Sequence, residues 1–440
     1  MESSNTHISP DYYRITLAIS IAFFLYILLL RVNNLKQQYT APQHDLRAYL
    51  ACAHNIVDGR HIYKTHHKYI PGDPTLSTHI PKYIYPPLMG MILIPFNSIP
   101  YTTFKKYWFF LNLFLIFHAI LLSVTLLGFK QFRWPVFFAI SAVMIGSDPV
   151  RLLLYTAQAD ALAIYLSLLA LYFFNKQKWL PAAILIAVAS WTKVTPGIFF
   201  IYFLTRGNLK FTIYALSSAI ILMMLQLGAV GKSQFLYFFT DIAKEMPETL
   251  PAPSMESLWS LFSLIFIPHE QYYILNKPHL LVPFVVTFKL ITMAIITIPM
   301  LRTGSKKESL FMGFAILSSA SLLITDISWM MRFVWNLVTI AALFYISGNI
   351  KTRITAYLTL ALTVMLLLLN NTYLWMYAFK GDLSGWRGII TGGVAVHAFI
   401  SLLIITPYYL KGSTFSLPVI KTIKLYKSTK KILIKNVPEK

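Results

Sequence analysis

Apolar runs of roughly 15–25 residues recur along almost the whole chain, and they decide what it can fold into. A bilayer crossing takes about 20 predominantly apolar residues, fewer where neighbours shelter the segment. Inside lipid every backbone N–H and C=O must be satisfied by the protein itself, so only helices or a closed barrel can cross. Alternating strand-length segments are absent, which leaves helices. With 57% hydrophobic and 12% charged residues over 440 positions, the chain reads as an all-α polytopic membrane protein. A disordered chain and an ordinary soluble enzyme are both excluded.

Hydropathy predicts spans at 14–30, 104–127, 134–145, 160–174, 179–191, 197–204, 211–230, 280–301, 309–324, 333–346, 354–369 and 388–405. That is about twelve crossings. A shorter apolar segment lies at 258–267. No small cleavage-site residues follow 14–30, so it reads as a retained span rather than a signal peptide.

The formal charge is +22. On a soluble chain this would suggest nucleic acid; here Lys and Arg mark cytoplasmic loops and an anionic inner leaflet, and no nucleic-acid partner is expected. The basic linkers at 130–133, 175–178, 206–210, 302–307 and 351–353 all fall inside if the N-terminus is cytoplasmic and 85–96 does not cross. Both termini are then cytoplasmic. Residues 1–410 form one membrane domain. Within it, 32–103 is a first outer loop carrying amphipathic or interfacial helices, and 231–279 is a second, larger outer loop. Residues 411–440 make a basic cytoplasmic tail that faces the anionic inner leaflet. Cys52 is the one cysteine, so an internal disulfide and a cysteine-based metal site are excluded.

Several polar groups fall on the outer side. Asp45 follows a helix-entry pattern, Ala41-Pro42-Gln43-His44, and Gly59 marks the exit. Asp45, Tyr49, Cys52 and Ile56 share one helical face. A carboxylate there is held ionised by free N–H groups and the macrodipole, which suits a helix cap and equally a general base. Tyr83-Ile84-Tyr85-Pro86-Pro87-Leu88 is extended and then permits a helix start; its tyrosines also suit a membrane-interface belt. Arg151, after Asp148, has the fork geometry for a phosphate or a simple ion pair with Asp148, and Gln158 can hydrogen-bond a sugar or a head group. Lys193 is a point charge suited to phosphate or to snorkelling. Arg332, in Asp326-Ile-Ser-Trp329-Met-Met-Arg332, can clamp a phosphate-like leaving group or anchor a helix end. Histidines 54, 61, 66, 67 and 79 crowd the first loop but lack zinc-site spacing, so no metal and no cofactor are expected.

Taken in order, these motifs resemble glycosyltransferase family 87 of the GT-C class, the polyprenol-phosphate-mannose-dependent mannosyltransferases. The residues that carry the resemblance are Asp45, Tyr49, Ala53, Gly59 and Tyr63, then Tyr83, Tyr85, Pro86, Pro87, Leu88 and Pro95, then Gln158, Lys193, Pro196, Ser328 and Trp329. It extends over about 14–346. It implies a GT-C-like fold and an enzyme that moves a hexose, mannose first among them, from a polyprenyl-phosphate sugar to a lipid or envelope-glycan acceptor. The place implied is the outer face of a cell membrane, the bacterial inner membrane. Asp45 would be the base, with Lys193, Arg332 and Arg151 on the donor phosphate. Gln158, Tyr49, Tyr85, Trp329 and Glu256 would lie against sugar or acceptor. Two positions depart from the family pattern. Met330, Met331 and Arg332 stand where a histidine is common, so Arg332 would take over its phosphate contact. Met255-Glu256-Ser257 replaces an Asn-Gln-Ser run, which puts Glu256 forward as a second carboxylate.

The rival class is a membrane transporter or lipid-carrier flippase. Such folds show repeated halves and midplane sites in broken helices, and no halved pattern is found. Buried charges beneath the first outer loop favour an enzyme; charges at the midplane favour transport.

Overall fold

The structure, a computed structural model, describes residues 10–64, 70, 81–129, 132–242, 258–266, 277–304, 308–325, 330–349, 361, 393–411 and 413–415. It begins with α1 (Pro10–Thr40), α2 (His44–Val57), α3 (Leu88–Leu93), α4 (Tyr101–Leu126), α5 (Arg133–Gly146), α6 (Asp148–Thr156), α7 (Asp160–Asn175), α8 (Trp179–Thr192), α9 (Gly197–Arg206) and α10 (Leu209–Tyr237). Then follow α11 (Leu258–Phe266), α12 (Leu281–Leu301), β1 (Arg302–Gly304), α13 (Ser309–Ile324), α14 (Asn336–Asn349), α15 (Gly393–Lys411) and β2 (Ser413–Phe415). The two three-residue strands pair antiparallel and tie the end of α12 to the segment after α15.

Among the described residues, five helical stretches are long and apolar enough to cross a membrane: Pro10–Val57, Tyr101–Leu126, Leu209–Ile242, Pro278–Leu301 and Met331–Gly348. The pair α5 and α6, bent by 65°, makes a sixth if taken as one broken span. The apolar helices at 160–175, 179–192, 197–206, 309–324 and 398–411 are shorter. At about 1.5 Å per residue they reach less than a full hydrocarbon core. The expectation of about twelve crossings counted these as spans, together with 354–369, of which residue 361 alone is described.

Local chemistry sets the boundaries that matter for the site. Helix α4 starts after Pro100, whose carbonyl takes the Thr103 and Phe104 amides, and stops at Gly128 with φ 75. The break after α5 falls at Ser147, which is extended; Pro149 is then accommodated in the first turn of α6, where its missing N–H costs nothing. The segment opening with Pro86-Pro87 becomes α3 and a 3₁₀ turn over Ile94–Phe96. Nine residues are too few to cross. Helix α10 does not end at 230: Gly231 takes φ 77, kinks the helix, and lets it run on to Tyr237 and a π-helical turn over Phe238–Ile242. Residues 243–257 and 267–276 lie outside the described residues.

Two apolar cores result. The larger draws on every helix from α4 to α15, with Phe199 stacked on Phe314 at 4.0 Å and on Trp335 at 5.2 Å. The smaller joins α2, residues 62–63, Tyr83, α3, the start of α4 and the end of α10 into a cap. In the cap Gly90 lies directly against Cys52 of α2. The face predicted for Asp45, Tyr49, Cys52 and Ile56 is thus a packed face: Cys52 and Ile56 meet α3, and Asp45 and Tyr49 meet the turn after α6.

Candidate active site

The chain turns from α1 into α2 at Gln43, which adopts a left-handed conformation (φ 50, ψ 63). For a side chain with a Cβ this costs about 1–2 kcal/mol, so the elbow must be held from outside. Helix α4 holds it: Tyr101 Oη donates to the Pro42 carbonyl, and Lys105 Nζ to the carbonyls of Thr40 (3.2 Å) and Ala41 (3.3 Å). Gln43 occupies the cap position and no side chain caps the helix. Asp45, inside the first turn, is therefore not the cap. Its Oδ2 accepts a hydrogen bond from Gln158 Nε2 at 2.6 Å.

Gln158 comes from the far side of the fold. Ala157 ends α6 in a left-handed conformation (φ 61, ψ 43). Trp108 Nε1 donates to the Ala157 carbonyl at 2.9 Å, and the Gln158 amide donates to Leu153 O at 3.1 Å. With its backbone fixed, Gln158 presents Oε1 to three donors: Tyr85 Oη at 3.0 Å, Tyr49 Oη at 3.1 Å and Lys193 Nζ at 3.2 Å. Burial pushes the Tyr85 phenol far above its ordinary range, and the Asp45 charge pushes it further, so it stays a donor.

Lys193 follows α8 in an extended conformation and forms a close ion pair with Asp160, the first residue of α7. Trp335 Nε1 donates to the other Asp160 oxygen at 3.2 Å. Two residues beyond Lys193, Thr195 Oγ1 accepts from Arg332 Nη2 at 2.6 Å; Arg332 Nη1 donates to Thr325 Oγ1 at 3.2 Å. Two carboxylates, Asp45 and Asp160, and two cations, Lys193 and Arg332, are thus gathered at one network. Buried charges persist only when paired or hydrogen-bonded: Lys193 and Asp160 form an ion pair, Asp45 accepts from Gln158, and Arg332 donates to Thr195 and Thr325.

The structure brings Asp45, Tyr49, Tyr85, Gln158 and Lys193 into one hydrogen-bonded network, with Arg332 joined through the Lys193–Thr195 segment. Arg151 is placed apart. Its Nε donates to Asp148 Oδ1 at 2.9 Å, beside the α5–α6 break, the ion-pair alternative that its sequence context left open. Trp329 and Glu256 lie outside the described residues, as do His66, His67 and His79. Among the described residues no group of three or more His, Cys, Asp or Glu could hold a metal ion. Sequence reasoning missed Asp160 as the partner of Lys193, and missed Trp335 and Thr195 altogether. An acid heading an apolar helix was the available signal for Asp160, because such a charge is expensive in lipid unless paired.

Comparison with known proteins bears on the same residues. The family model for glycosyltransferase family 87 matches residues 83–326, which holds Tyr85, Gln158, Asp160 and Lys193 but neither Asp45 nor Arg332. A curated relative, the polyprenol-phosphate-mannose-dependent alpha-(1-2)-phosphatidylinositol pentamannoside mannosyltransferase of Mycobacterium tuberculosis, is 24% identical over 246 residues, which are 53% of this chain and 54% of that protein. The chain spans about half the length of the relative it matches. Matched by its model over more than half of the sequence, the chain belongs to glycosyltransferase family 87.

Proposed function

We propose that this chain is an integral membrane glycosyltransferase that moves a hexose, mannose in the first instance, from a polyprenyl-phosphate sugar to a lipid or envelope-glycan acceptor. Asp45 is the general base. The acceptor hydroxyl attacks the anomeric carbon and forms the new C–O bond. Its proton passes to Asp45, the bond from the anomeric carbon to the phosphate oxygen breaks, and the polyprenyl phosphate leaves with the electron pair. One displacement of this kind inverts the anomeric centre. A positioned base contributes about 10²–10⁴-fold. Lys193 and Arg332 face the charge that develops on the leaving phosphate, the place where electrostatic stabilisation acts most strongly. Arg151, bound to Asp148, takes no phosphate in this scheme.

The observation that carries the proposal is the bridge Asp45–Gln158–Lys193, in which one amide joins a carboxylate suited to act as base to a cation suited to a phosphate. Its place supports an enzyme over a transporter. Asp45 opens α2, Gln158 and Asp160 stand at the α6–α7 turn, and Lys193 follows the end of α8, so the charges collect at helix ends under the cap and not at mid-helix. The cap is the outer side in this scheme, both termini are cytoplasmic, and the basic tail lies on the anionic inner leaflet.

The test is a donor screen with purified full-length protein. Mannose-, arabinose- and glucose-linked polyprenyl phosphates are offered with membrane lipid extract as acceptor source. Transfer from one of them, lowered by about 10²–10⁴-fold by Asp45→Asn in a folded, membrane-inserted protein, is expected. Transfer from a nucleotide sugar without polyprenol overturns the donor class, and full activity of Asp45→Asn overturns the base.

A further inference from the structure

The resemblance puts Gln158 against sugar or acceptor, but its amide is already in use. Oε1 has two lone pairs and is approached by three donors, Tyr49, Tyr85 and Lys193. Nε2 gives one of its two N–H groups to Asp45. The orientation cannot be reversed. A flipped amide would set its oxygen against the Asp45 carboxylate and its NH₂ against the Lys193 ammonium, two repulsive contacts in place of two attractive ones. The backbone is equally constrained, by Trp108 on the Ala157 carbonyl, by Leu153 on the Gln158 amide, and by Tyr49 Oη, which takes the Ala159 amide at 3.3 Å.

We infer that Gln158 is a positioning residue: it fixes the plane of the Asp45 carboxylate through Nε2 and does not bind the sugar. The inference rests on Asp45 being the base. Three donors at Oε1 polarise the amide and strengthen the Nε2–H bond to the carboxylate. They also tie the base to Lys193, so the group that receives the acceptor proton and the group that meets the donor phosphate are held at a set separation by one side chain. A base displaced by a fraction of an ångström loses much of its effect.

The three possible roles separate with two substitutions. Gln158→Met keeps the volume and removes both polar ends. Gln158→Glu keeps an acceptor for Tyr49, Tyr85 and Lys193 and replaces the donor to Asp45 by a second carboxylate oxygen, which repels the base. If positioning through Nε2 is the role, both variants lower kcat by about ten- to a hundredfold while KM for polyprenyl-phosphate mannose and for the acceptor extract stays within about threefold. If Gln158 only holds the tyrosines and Lys193 in place, its loss multiplies with that of Asp45→Asn in the double variant, which overturns the inference. If it binds sugar, KM rises with kcat preserved, which also overturns it.

The same assay on Asp45→Asn and on the double variant separates this inference from the proposal it rests on. When Gln158 acts through Asp45, Gln158→Met causes less than about a twofold further loss in the Asp45→Asn background. Independent, multiplying losses overturn the coupling. A fully active Asp45→Asn instead overturns the base itself. Thermal unfolding of the same four proteins reads the contact without turnover: non-additive shifts are expected, and additive ones overturn it.

Discussion

Trp335 Nε1 lies 3.2 Å from Asp160 Oδ1, a contact between residues 175 positions apart that fixes the acid neutralising Lys193. Asp160 is fully buried and Lys193 nearly so. Removing one partner of such a pair leaves an uncompensated charge, typically at about 3–5 kcal/mol. Asp160→Asn is therefore expected to lower the unfolding temperature of the purified protein sharply, and adding Lys193→Met to recover most of the loss. On the proposed reading Lys193 also meets the donor phosphate, so activity should not return with stability. An Asp160→Asn protein as stable as wild type would show that the pair is not buried.

The helices around this site were legible and the site's pairing was not. The runs at 104–127, 160–174 and 179–191 match α4, α7 and α8 within a few residues, because each apolar stretch ends in Lys, Gly or a polar turn. Helix α6 was hidden, since Asp148-Pro149 reads as a turn, although proline is at home in a first helical turn. Gly231 reads as a span end, yet a glycine can take the positive φ of a kink and let the helix continue. Asp45, Gln158 and Lys193 were found through their order along the chain; nothing local says that Nε2 of one meets the carboxylate of another 113 residues away. Trp335 looked like one more aromatic in an apolar run, because its hydrogen bond depends on long-range packing.

Arg31 offers a test of how Gln158 is delivered. It is buried in α1 and donates to the Gly146 carbonyl at the end of α5, where the chain bends by 65° into α6. The last carbonyls of a helix lack partners within it, and a cation there also complements the dipole. Arg31→Met is expected to cost about 1–3 kcal/mol. Hydrogen exchange should quicken at the amides of 147–158, including Gln158, while the interior of α7 keeps its protection. Unchanged protection at Gln158 would mean that α6 is held without Arg31.

The cap has a titratable joint at His61. Its Nδ1 accepts from the amides of Tyr63 and Lys64, both at 3.2 Å, and its ring meets Tyr237 edge-on at 5.2 Å. Desolvation, and then the Lys64 charge, hold its pKa below the ordinary value. The unfolded chain then takes up the proton first, so neutral His61 stabilises above an ordinary pKa of about 6.5, and this contribution is lost as pH falls through the lower folded value. Going from about pH 7.5 to about pH 5, the wild-type unfolding temperature should drop more than that of His61→Gln, which keeps an acceptor without a proton to gain. Equal drops would place the acid sensitivity elsewhere.

The closest constraint in the cap lies between Gly90 and Cys52. A Cβ added at Gly90 would come 2.3 Å from Cys52 Sγ and 3.1 Å from its Cβ. No rotamer of alanine avoids this, so Gly90→Ala must turn the Cys52 side chain away or push α3 off α2, an overpacking worth about 1–3 kcal/mol. The strain bears on chemistry, because the Gly90 amide donates to Tyr83 Oη at 3.3 Å, Tyr83 donates to the Pro86 carbonyl at 2.6 Å, and Tyr85 lies between them in sequence. Gly90→Ala should therefore weaken transfer as well as stability. Cys52→Ala removes the sulfur and leaves the 3.1 Å Cβ contact, which a shift of a few tenths of an ångström relieves, and an ordinary 3.4 Å contact with Ile56 Cδ1. The pair Gly90→Ala with Cys52→Ala is expected to regain most of the unfolding temperature and of the transfer rate lost by Gly90→Ala alone. Losses that add would mean that α2 and α3 do not pack through this contact, and that Tyr85 is held in place by something other than the cap.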